Sequence, residues 1–548
     1  MLLGIDVGGT FTDAVIIKDE MVIEQAKVAT DHKNVLKSII EALDRVLFKG
    51  AAGDLERVAI SSTIVTNALT ENKLEPVFLA VITGPGMNVE DKFPVKPCYL
   101  SGCVDHRGKI TASVKLEELQ EWKDTIGNVC AVSGKFAVRD PEQEYKVERE
   151  LKSYGSSKVF LGSELSGELN FIRRTNSAYF AAAVYKIFSD FCQKVKQALA
   201  DRYINAPVYI LKADGGTLPL EAALEQPVEA VFTGPAASVL GIEALAAPGV
   251  NSISLDVGGT TTDIAFWEGG LPLMAKKGAV INGYSTAVHS FHMRSIGIGG
   301  DSKITKDGDG YRVGPKREGP AAAVGGSAPT LSDAFIVGGY VEFGDKNKAL
   351  DAIATLGGNP ETEAEKIVQA AVSKITATIE EMLITWAKQP VYTVNDVIRG
   401  TEFVPKQLTG VGGGSMGLVN ALGVEMGLPV EIPMGAMVAN AIGAAVARPT
   451  LSAELRADTT EGYYLIPESG KRQPLPKKFN EVMARNLLSE WLKGQAEKWK
   501  IPQEETELIS REHFRTVHGY YDIGDIYSLR MQLKPGILHK VSCGEVKI

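Results

Sequence analysis

One short pattern occurs twice and constrains how this chain can fold. "LLGIDVGGTFTDAVII" (residues 2–17) and "SISLDVGGTTTDIAFW" (residues 252–267) both contain D-V-G-G-T-x-T-D, with seven of eight positions identical. In each copy apolar runs flank a glycine-rich turn, which is the pattern of a β-hairpin. Glycine there lets the backbone take positive φ and come close to a ligand. Successive free N–H groups in such a turn form an anion-binding concavity. Gly8 and Gly9, like Gly258 and Gly259, would supply those amides, and Thr10, Thr12, Thr260 and Thr262 would add hydroxyl donors. Asp6 and Asp256 end their strands, where a carboxylate can hold a hydrated Mg²⁺ that also meets phosphate oxygens. One copy reads equally well as a tight hairpin with a polar tip. Two copies argue for a pair of lobes that clamp the β- and γ-phosphates of a nucleotide from both sides. The turn is neither a Walker loop nor a G-x-G-x-x-G dinucleotide turn.

A third glycine cluster, Gly412–Gly413–Gly414–Ser415, follows a strand pattern and precedes a helical one. Such a loop has no bulky side chain to block a flat ring, so after two phosphate hairpins it is expected to wall an adenosine. Ser415 is expected to cap the helix that follows.

The rest of the chain fits that picture. Its 548 residues exceed one ordinary core, so two to four domains are expected. A net charge of −9 without a long basic run argues against nucleic acid or an anionic membrane as partner. No apolar run approaches the ~18–20 residues of a spanning helix, and the start "MLLGIDVGG" has no basic n-region of a signal peptide. Five cysteines without a C-x-x-C pair give no disulfide framework or thiolate cluster, so a reduced, cytoplasmic protein is expected. Strand and helix patterns alternate, an α/β arrangement. The pattern divides into a first lobe with an insertion (1–175), a second lobe (176–450) ending in a return helix over 434–447, and a charged, amphipathic tail (451–548). A long helix over "NSAYFAAAVYKIFSDFCQKVKQALADRY" would link the first half to the second.

Hairpin, hairpin, adenosine loop and small-residue helix together resemble the actin-like ATPase superfamily of sugar kinases, heat-shock chaperones and actin. More narrowly, the chain resembles the hydantoinase/5-oxoprolinase family, as a hydantoinase A-like subunit. The matching stretches are "GIDVGGTFTD", "SSTIVTNAL", "PVEAVFTGPAASVLG", "SLDVGGTTTDIA", "SIGIGGDS", "RVGPKREGP", "APTLSDA" and "ANAIGAA", in the family's order over residues 3–446. The resemblance implies an α/β, actin-like (ribonuclease H-like), two-lobed ATPase with an interlobe cleft and a C-terminal α+β tail. It implies ATP and Mg²⁺ as cofactors and ATP-dependent opening of a cyclic amide such as a hydantoin or 5-oxoproline. In that reaction the γ-phosphoryl group goes to the amide oxygen and water then opens the ring. It further implies a hydantoinase B-type partner subunit, or a homo-oligomer. Asp6 or Asp256 would hold the metal's water, and either could be the general base. Two other readings use the same cleft: an ATP-driven activating or chaperone-like factor for a partner enzyme, and a small-molecule kinase.

The chain also departs from the family's pattern. Arg294 stands where the family has histidine, Asp301 replaces a glycine, and "PAAAVGG" lacks the family's cysteine. These departures bear on amide opening rather than on ATP binding. Among smaller signals, His289 and His292 form H-x-x-H but read first as ordinary loop or core histidines, lacking a nearby acidic third ligand. Asp301 could equally meet the cleft or face elsewhere. Arg173 and Arg174 read as a helix start, Ser62, Thr63 and Asn67 as cleft lining or a packing helix. Cys98 and Cys103 are too isolated for redox chemistry. "FNEVMARNLLSEWLKGQAEKW" reads as an amphipathic helix packed on the body or on a partner.

Overall fold

The two repeated hairpins each found a sheet of the same design. The computed structural model describes every residue except 32, 49, 247–248, 309, 389–402, 503–504, 519–520 and 545–548. In the first sheet Leu2–Val7 pairs antiparallel with Phe11–Lys18, and parallel on its other side with Arg57–Ser62. The order runs Thr217–Pro219, Val208–Leu211, Arg57–Ser62, Leu2–Val7, Phe11–Lys18, Met21–Ala29 and Ser542–Cys543. The interior strands are buried along nearly their whole length, as a sheet covered on both faces requires. In the second sheet Ser252–Val257 pairs antiparallel with Thr262–Glu268 and parallel with Gln407–Val411. Thus each lobe places its hairpin beside a parallel strand on the same side, the two-lobed actin-like plan.

The lobe boundary differs from the sequence expectation. Val208–Leu211 and Thr217–Pro219 belong to the first sheet, so that sheet draws on the chain well beyond residue 175. The second sheet begins at Ser252. The 30-residue helix Phe171–Ala200 explains the discrepancy. Parallel strands need a long crossover, and this helix lies on the crossover that returns the chain to its own sheet rather than linking the two halves. Residues 78–161 supply a separate four-stranded sheet, in the order Lys158–Leu161, Val129–Gly134, Phe78–Ile82, Cys98–Tyr99.

Two helices lie between the large sheets. Thr233–Leu245 packs Val239 and Leu240 with Ala265, Trp267 and Val411 of the second sheet. Ala439–Val446 packs Ala441, Ile442 and Ala445 against Val15, Ile17 and Val22 of the first. The return segment expected as one helix over 434–447 is a 3-10 turn, Ala436–Val438, followed by that helix. The helices meet backbone to backbone, and this requires glycine. A Cβ on Gly241 would stand 2.2 Å from the Ala439 carbonyl oxygen, and one on Gly443 2.0 Å from that of Ala237.

The tail forms a five-stranded sheet, ordered Lys471–Pro474, Tyr463–Ile466, Ser452–Asp458, Tyr521–Leu533, Thr506–His518. Helix Glu481–Lys498 buries Ala484, Leu488, Leu492 and Ala496, one face at every fourth residue. Ala484, Leu488 and Leu492 cover Leu455, Leu529 and Met531 of that sheet, so the amphipathic stripe packs on the tail's own sheet. Among the described residues no helix is long and apolar enough to cross a membrane.

Candidate functional site

The hairpins match residue for residue. Asp6 faces Asp13 and Val7 faces Thr12 in the first; Asp256 faces Asp263 and Val257 faces Thr262 in the second. Each turn closes through one amide, Gly8 N–H to the Phe11 carbonyl at 3.0 Å and Gly258 N–H to the Thr261 carbonyl at 2.9 Å. The tips come together between the lobes: the vacant Cβ position of Gly259 lies 3.1 Å from Thr10 Oγ1. Nothing lies within 4 Å of the Cβ position of Gly9, so its backbone faces open space.

Four carboxyl groups gather at the hairpin bases, and burial raises all of them above the ordinary carboxylate range. Asp6 is 4% exposed. Burial pushes its carboxyl up to about 7, a hydrogen bond with Ser61 opposes this, and Asp13 and Asp256 add to the rise. Its Oδ1 is buried without a hydrogen-bond partner. Asp256 is held differently, its Oδ2 accepting from Asn440 Nδ2 at 3.0 Å. Asp13 has a resident cation, Lys27 Nζ at 2.5–2.6 Å, which also donates to the Met437 carbonyl at 3.1 Å. Burial and then Asp256 push Asp263 up to about 7.

This is an acid-rich, under-neutralised site with an orphaned carboxylate oxygen, and a divalent cation would relieve both. No group of three or more His, Cys, Asp or Glu side chains able to hold a metal occurs among the described residues. Asp6 and Asp256 would suit a hydrated Mg²⁺, an ion that asks the protein for only one or two carboxylates.

A pH dependence follows for the nucleotide-free protein. The folded Asp6 carboxyl titrates near 7 and the unfolded one near 3.8, so folding binds the proton more tightly. Its contribution is fully present below the unfolded value and is lost as pH rises through about 7. Asp6→Asn is therefore expected to melt higher than the parent on the alkaline side of pH 7 and to narrow that gap on the acid side. Thermal melts across that range, without nucleotide, test it.

The structure divides the expected threonines. Thr10 and Thr260 sit half-exposed at the tips. Thr12 and Thr262 are fully buried: Thr12 Oγ1 lies 3.0 Å from Thr30 Oγ1, and Thr262 donates to the Ile298 carbonyl at 2.7 Å. Their hydroxyls hold neighbouring loops to the hairpins and are not aimed at a phosphate. The glycine loop lies against the second hairpin, with Gly414 N–H donating to the Val257 carbonyl at 2.9 Å. Gly412 has φ +87°, and a Cβ there would stand 2.6 Å from Asp256 Oδ1. Ser415 does not cap its helix, because its hydroxyl donates back to the Gly412 carbonyl at 2.7 Å. The cap position is Gly414, which leaves the first amides of Ser415–Met426 without a side-chain acceptor.

Two residues that sequence reasoning left open or missed belong to the site. Asp301 joins the second hairpin, its N–H donating to the Gly259 carbonyl at 2.7 Å while its carboxylate accepts from Arg317 at 2.9 Å. The clue was Gly299, where a Cβ would stand 2.6 Å from the Thr260 nitrogen. Asn440, the partner of Asp256, lies within a run that reads as small-residue packing. The family-like stretches around these residues are braces. Thr233 Oγ1 donates to the Ser62 carbonyl at 2.9 Å and accepts from Ser62 N–H at 3.0 Å, while Thr63 donates to the Val7 carbonyl at 3.1 Å. Asn67 donates to Thr63. Asp333, fully buried, accepts from the Ala322, Ala323 and Thr330 amides and so fixes "PAAAV" to "APTLSDA".

The smaller candidates lie elsewhere. Arg294 pairs with Glu381 at 2.6 Å. His289 reaches Glu168 while His292 packs against Phe266 and Trp386, so the two rings do not converge. Arg174 is fully buried and donates to the Glu168 and Gly134 carbonyls, and Arg173 lies 3.8 Å from Glu168. Burial pushes the Cys98 thiol up to about 12, which leaves it inert, and Cys103 is a free thiol.

Comparison with known proteins identifies the family. Residues 2–155 match the family model of the hydantoinase/oxoprolinase N-terminal region, and residues 174–453 match that of hydantoinase/oxoprolinase. The chain is 25% identical over 416 residues to caprolactamase subunit alpha of Pseudomonas jessenii, covering 68% of this chain and 58% of that protein. It is 24% identical over 404 residues to 5-oxoprolinase 1 of Arabidopsis thaliana, covering 62% of this chain and 31% of that protein. The chain thus spans under two thirds of the length of these relatives. The solved ATP-dependent caprolactamase from Pseudomonas jessenii superposes with a TM-score of 0.70 at 19% identity, covering 100% of this chain and 89% of that one.

Proposed function

Because the chain belongs to the hydantoinase/oxoprolinase family, we propose that it uses ATP to open a cyclic amide, in company with a hydantoinase B-type partner subunit. The observation that carries this reading is the meeting of two register-matched hairpins at Thr10 and Gly259, with Asp6 and Asp256 behind them. Hairpin amides and the uncapped Ser415–Met426 helix would bind the phosphates, and Gly412–Gly414 would lie under the adenosine. Mg²⁺, when bound, supplies charge neutralisation to the phosphates.

Chemically, the amide oxygen attacks the γ-phosphorus and ADP leaves, giving an imidate phosphate. Water then adds at the carbon, the C–N bond opens to release the amine and leave an acyl phosphate, and a second water hydrolyses that acyl phosphate to a carboxylate and inorganic phosphate. Phosphorylation is needed because an unactivated amide has a poor leaving group. Between the two candidate bases we assign Asp6. Its free Oδ1 and its pKa of about 7 suit proton acceptance from the attacking water near neutral pH, whereas Asp256 is already bound by Asn440. Arg294, the departure from the family's histidine, pairs with Glu381, and the amide-stimulation test below is what bears on its consequence for the reaction.

The test is ATP hydrolysis by the purified chain, alone and with its partner, in the presence of hydantoin, 5-oxoproline, caprolactam and N-methyl analogues. Stimulation by one of them with ring-opened product is the expected result. ATP hydrolysis that ignores every cyclic amide even with the partner present would turn the reading toward an activating factor.

A further inference from the structure

A second concentration of charge lies along the same sheet edge as Asp6. Leu2–Val7, Arg57–Ser62 and Val208–Leu211 run parallel, with Ile5 and Ile210 both level with Ile60. The turn after Val208–Leu211 therefore stands about 10 Å from the first hairpin, two inter-strand spacings away. Strand ends of one parallel sheet are where α/β proteins bind ligands. A cavity opens there with about 60 Å³ available to the centre of a water-sized sphere, room for roughly four to six non-hydrogen atoms.

Three parts of the molecule wall it: the first lobe through Lys212 and Glu229, the loop bearing His289, and the tail through Glu454 and Arg530 of its sheet and Glu468 of the turn Pro467–Ser469. Some of this charge is internally matched. Asp214 takes Lys212 at 2.8 Å, and Glu168 takes His289 at 3.3 Å and Arg530 at 3.5 Å. Glu229, Glu454 and Glu468 form no ion pair among the described residues. Burial raises all three, Glu454 to about 7, relieved by Arg530, and Glu468 to about 8, with Glu454 adding to it. Glu468 Oε2 is buried without a partner. So is the hydroxyl of Thr450, a cavity-lining side chain only 3% exposed. Orphaned buried polar atoms are costly, ~1–3 kcal/mol each, and here they sit at an enclosed space.

We propose that this cavity binds an amino acid by its head, the ammonium against Glu454 and Glu468 and the carboxylate against Lys212 and Arg530. An ammonium supplies the cation that the unmatched carboxyl groups lack. Lys212 and Arg530 each pair with one carboxylate but carry further N–H donors that a ligand carboxylate can take, and a bare carboxylate would leave the acidic side unanswered. An α-amino-acid head has five non-hydrogen atoms, which is the size of the space. The site stands apart from the phosphate hairpins but is joined to them by chain. The segment after His289 runs through Met293–Ile296 to Asp301, and Thr450 closely follows the helix that holds Asn440. As a reaction product the amino acid rests on the reaction proposed above; as an effector it does not. Opening any lactam liberates an amine and a carboxylate, so either a product or an effector amino acid has the required chemistry.

Calorimetric titration of the full chain tests it. The ligands are the proteinogenic amino acids, 4-aminobutyrate and 6-aminohexanoate, with propylamine and propionate as singly charged controls, in two buffers of different ionisation heat. At least one amino acid is expected to bind at least about tenfold tighter than either control, which is ~1.4 kcal/mol. Near neutral pH, binding should release protons as the raised carboxyl groups ionise. Glu468→Gln and Arg530→Gln should weaken it at least about tenfold and leave basal ATP hydrolysis unchanged; Thr450→Val serves if either fails to fold. Failure of every amino acid to bind, equal binding of propylamine, or full affinity in the folded variants would each overturn the proposal. A bound amino acid that competes with the cyclic amide is a product; one that changes ATP turnover without competing is an effector.

Discussion

Asp256→Asn is expected to cut ATP turnover by at least about a hundredfold while leaving the fold intact. The substitution is conservative in shape: the amide oxygen can still accept the Asn440 hydrogen bond at 3.0 Å. What is lost is the charge that would hold the metal's water and oppose Asp6 across the cleft. Removing a carboxylate whose pKa is raised by burial also removes a desolvation cost, so the variant should melt no lower than the parent at neutral pH. Steady-state hydrolysis across a magnesium titration distinguishes a lost metal contact, which raises the half-saturating concentration, from misfolding, which lowers the active fraction alone. A double variant, Asp6→Asn with Asp256→Asn, that hydrolyses ATP at the parent rate would remove the site.

The hairpins were legible in the sequence because everything they need is local. Asp6, Gly8 and Thr10 lie within a few residues, and the turn chemistry acts at that range. Asn440 was not, since its partner Asp256 is 184 residues away and Asn in an alanine-rich helix has no local signature. Thr12 and Thr262 read as ligand donors because a sequence shows a hydroxyl but not its partner; the partners are the Thr30 hydroxyl and the Ile298 carbonyl, brought in by tertiary packing. Ser415 likewise reads as a cap until its bond to Gly412 is seen. The lobe boundary at 175 failed for a related reason: the pattern of Phe171–Ala200 is the same for a linker and for a crossover. Only the pairing of Val208–Leu211 with Arg57–Ser62 separates the two. Asp301 stood undecided because a glycine run shows that something approaches, not what.

Gly443→Ala is expected to destabilise the protein by about 3 kcal/mol or more, against the usual direction. In an exposed helix interior, alanine is the better helix former by about 1 kcal/mol. Here the new methyl would stand 2.0 Å from the Ala237 carbonyl oxygen and 2.5 Å from the Gly241 nitrogen, both backbone atoms of the facing helix. Neither can swing aside as a side-chain tip would, so the helices must part and Ala441, Ile442 and Ala445 lose their fit on the first sheet. A lowered denaturation midpoint with unchanged slope is the expected result, and a rise toward the alanine propensity value would show that the helices are not in contact as described. Because Thr233–Leu245 packs on one sheet and Ala439–Val446 on the other, the same variant should weaken ATP turnover in the molecules that remain folded.

The strand Ser542–Cys543 pairs with Met21 and Val22 at the edge of the first sheet. That sheet also holds Leu2–Val7, so this corner of it is completed only when residues 521 positions further along the chain have been made. At ~5–20 residues per second of synthesis, the outer edge at Met21 and Val22 waits roughly a minute for its neighbour. An unpaired strand edge is a template for joining other chains. The growing chain is therefore more aggregation-prone at that corner than the folded protein, and production is expected to improve with slower initiation or with chaperones that shield nascent strands.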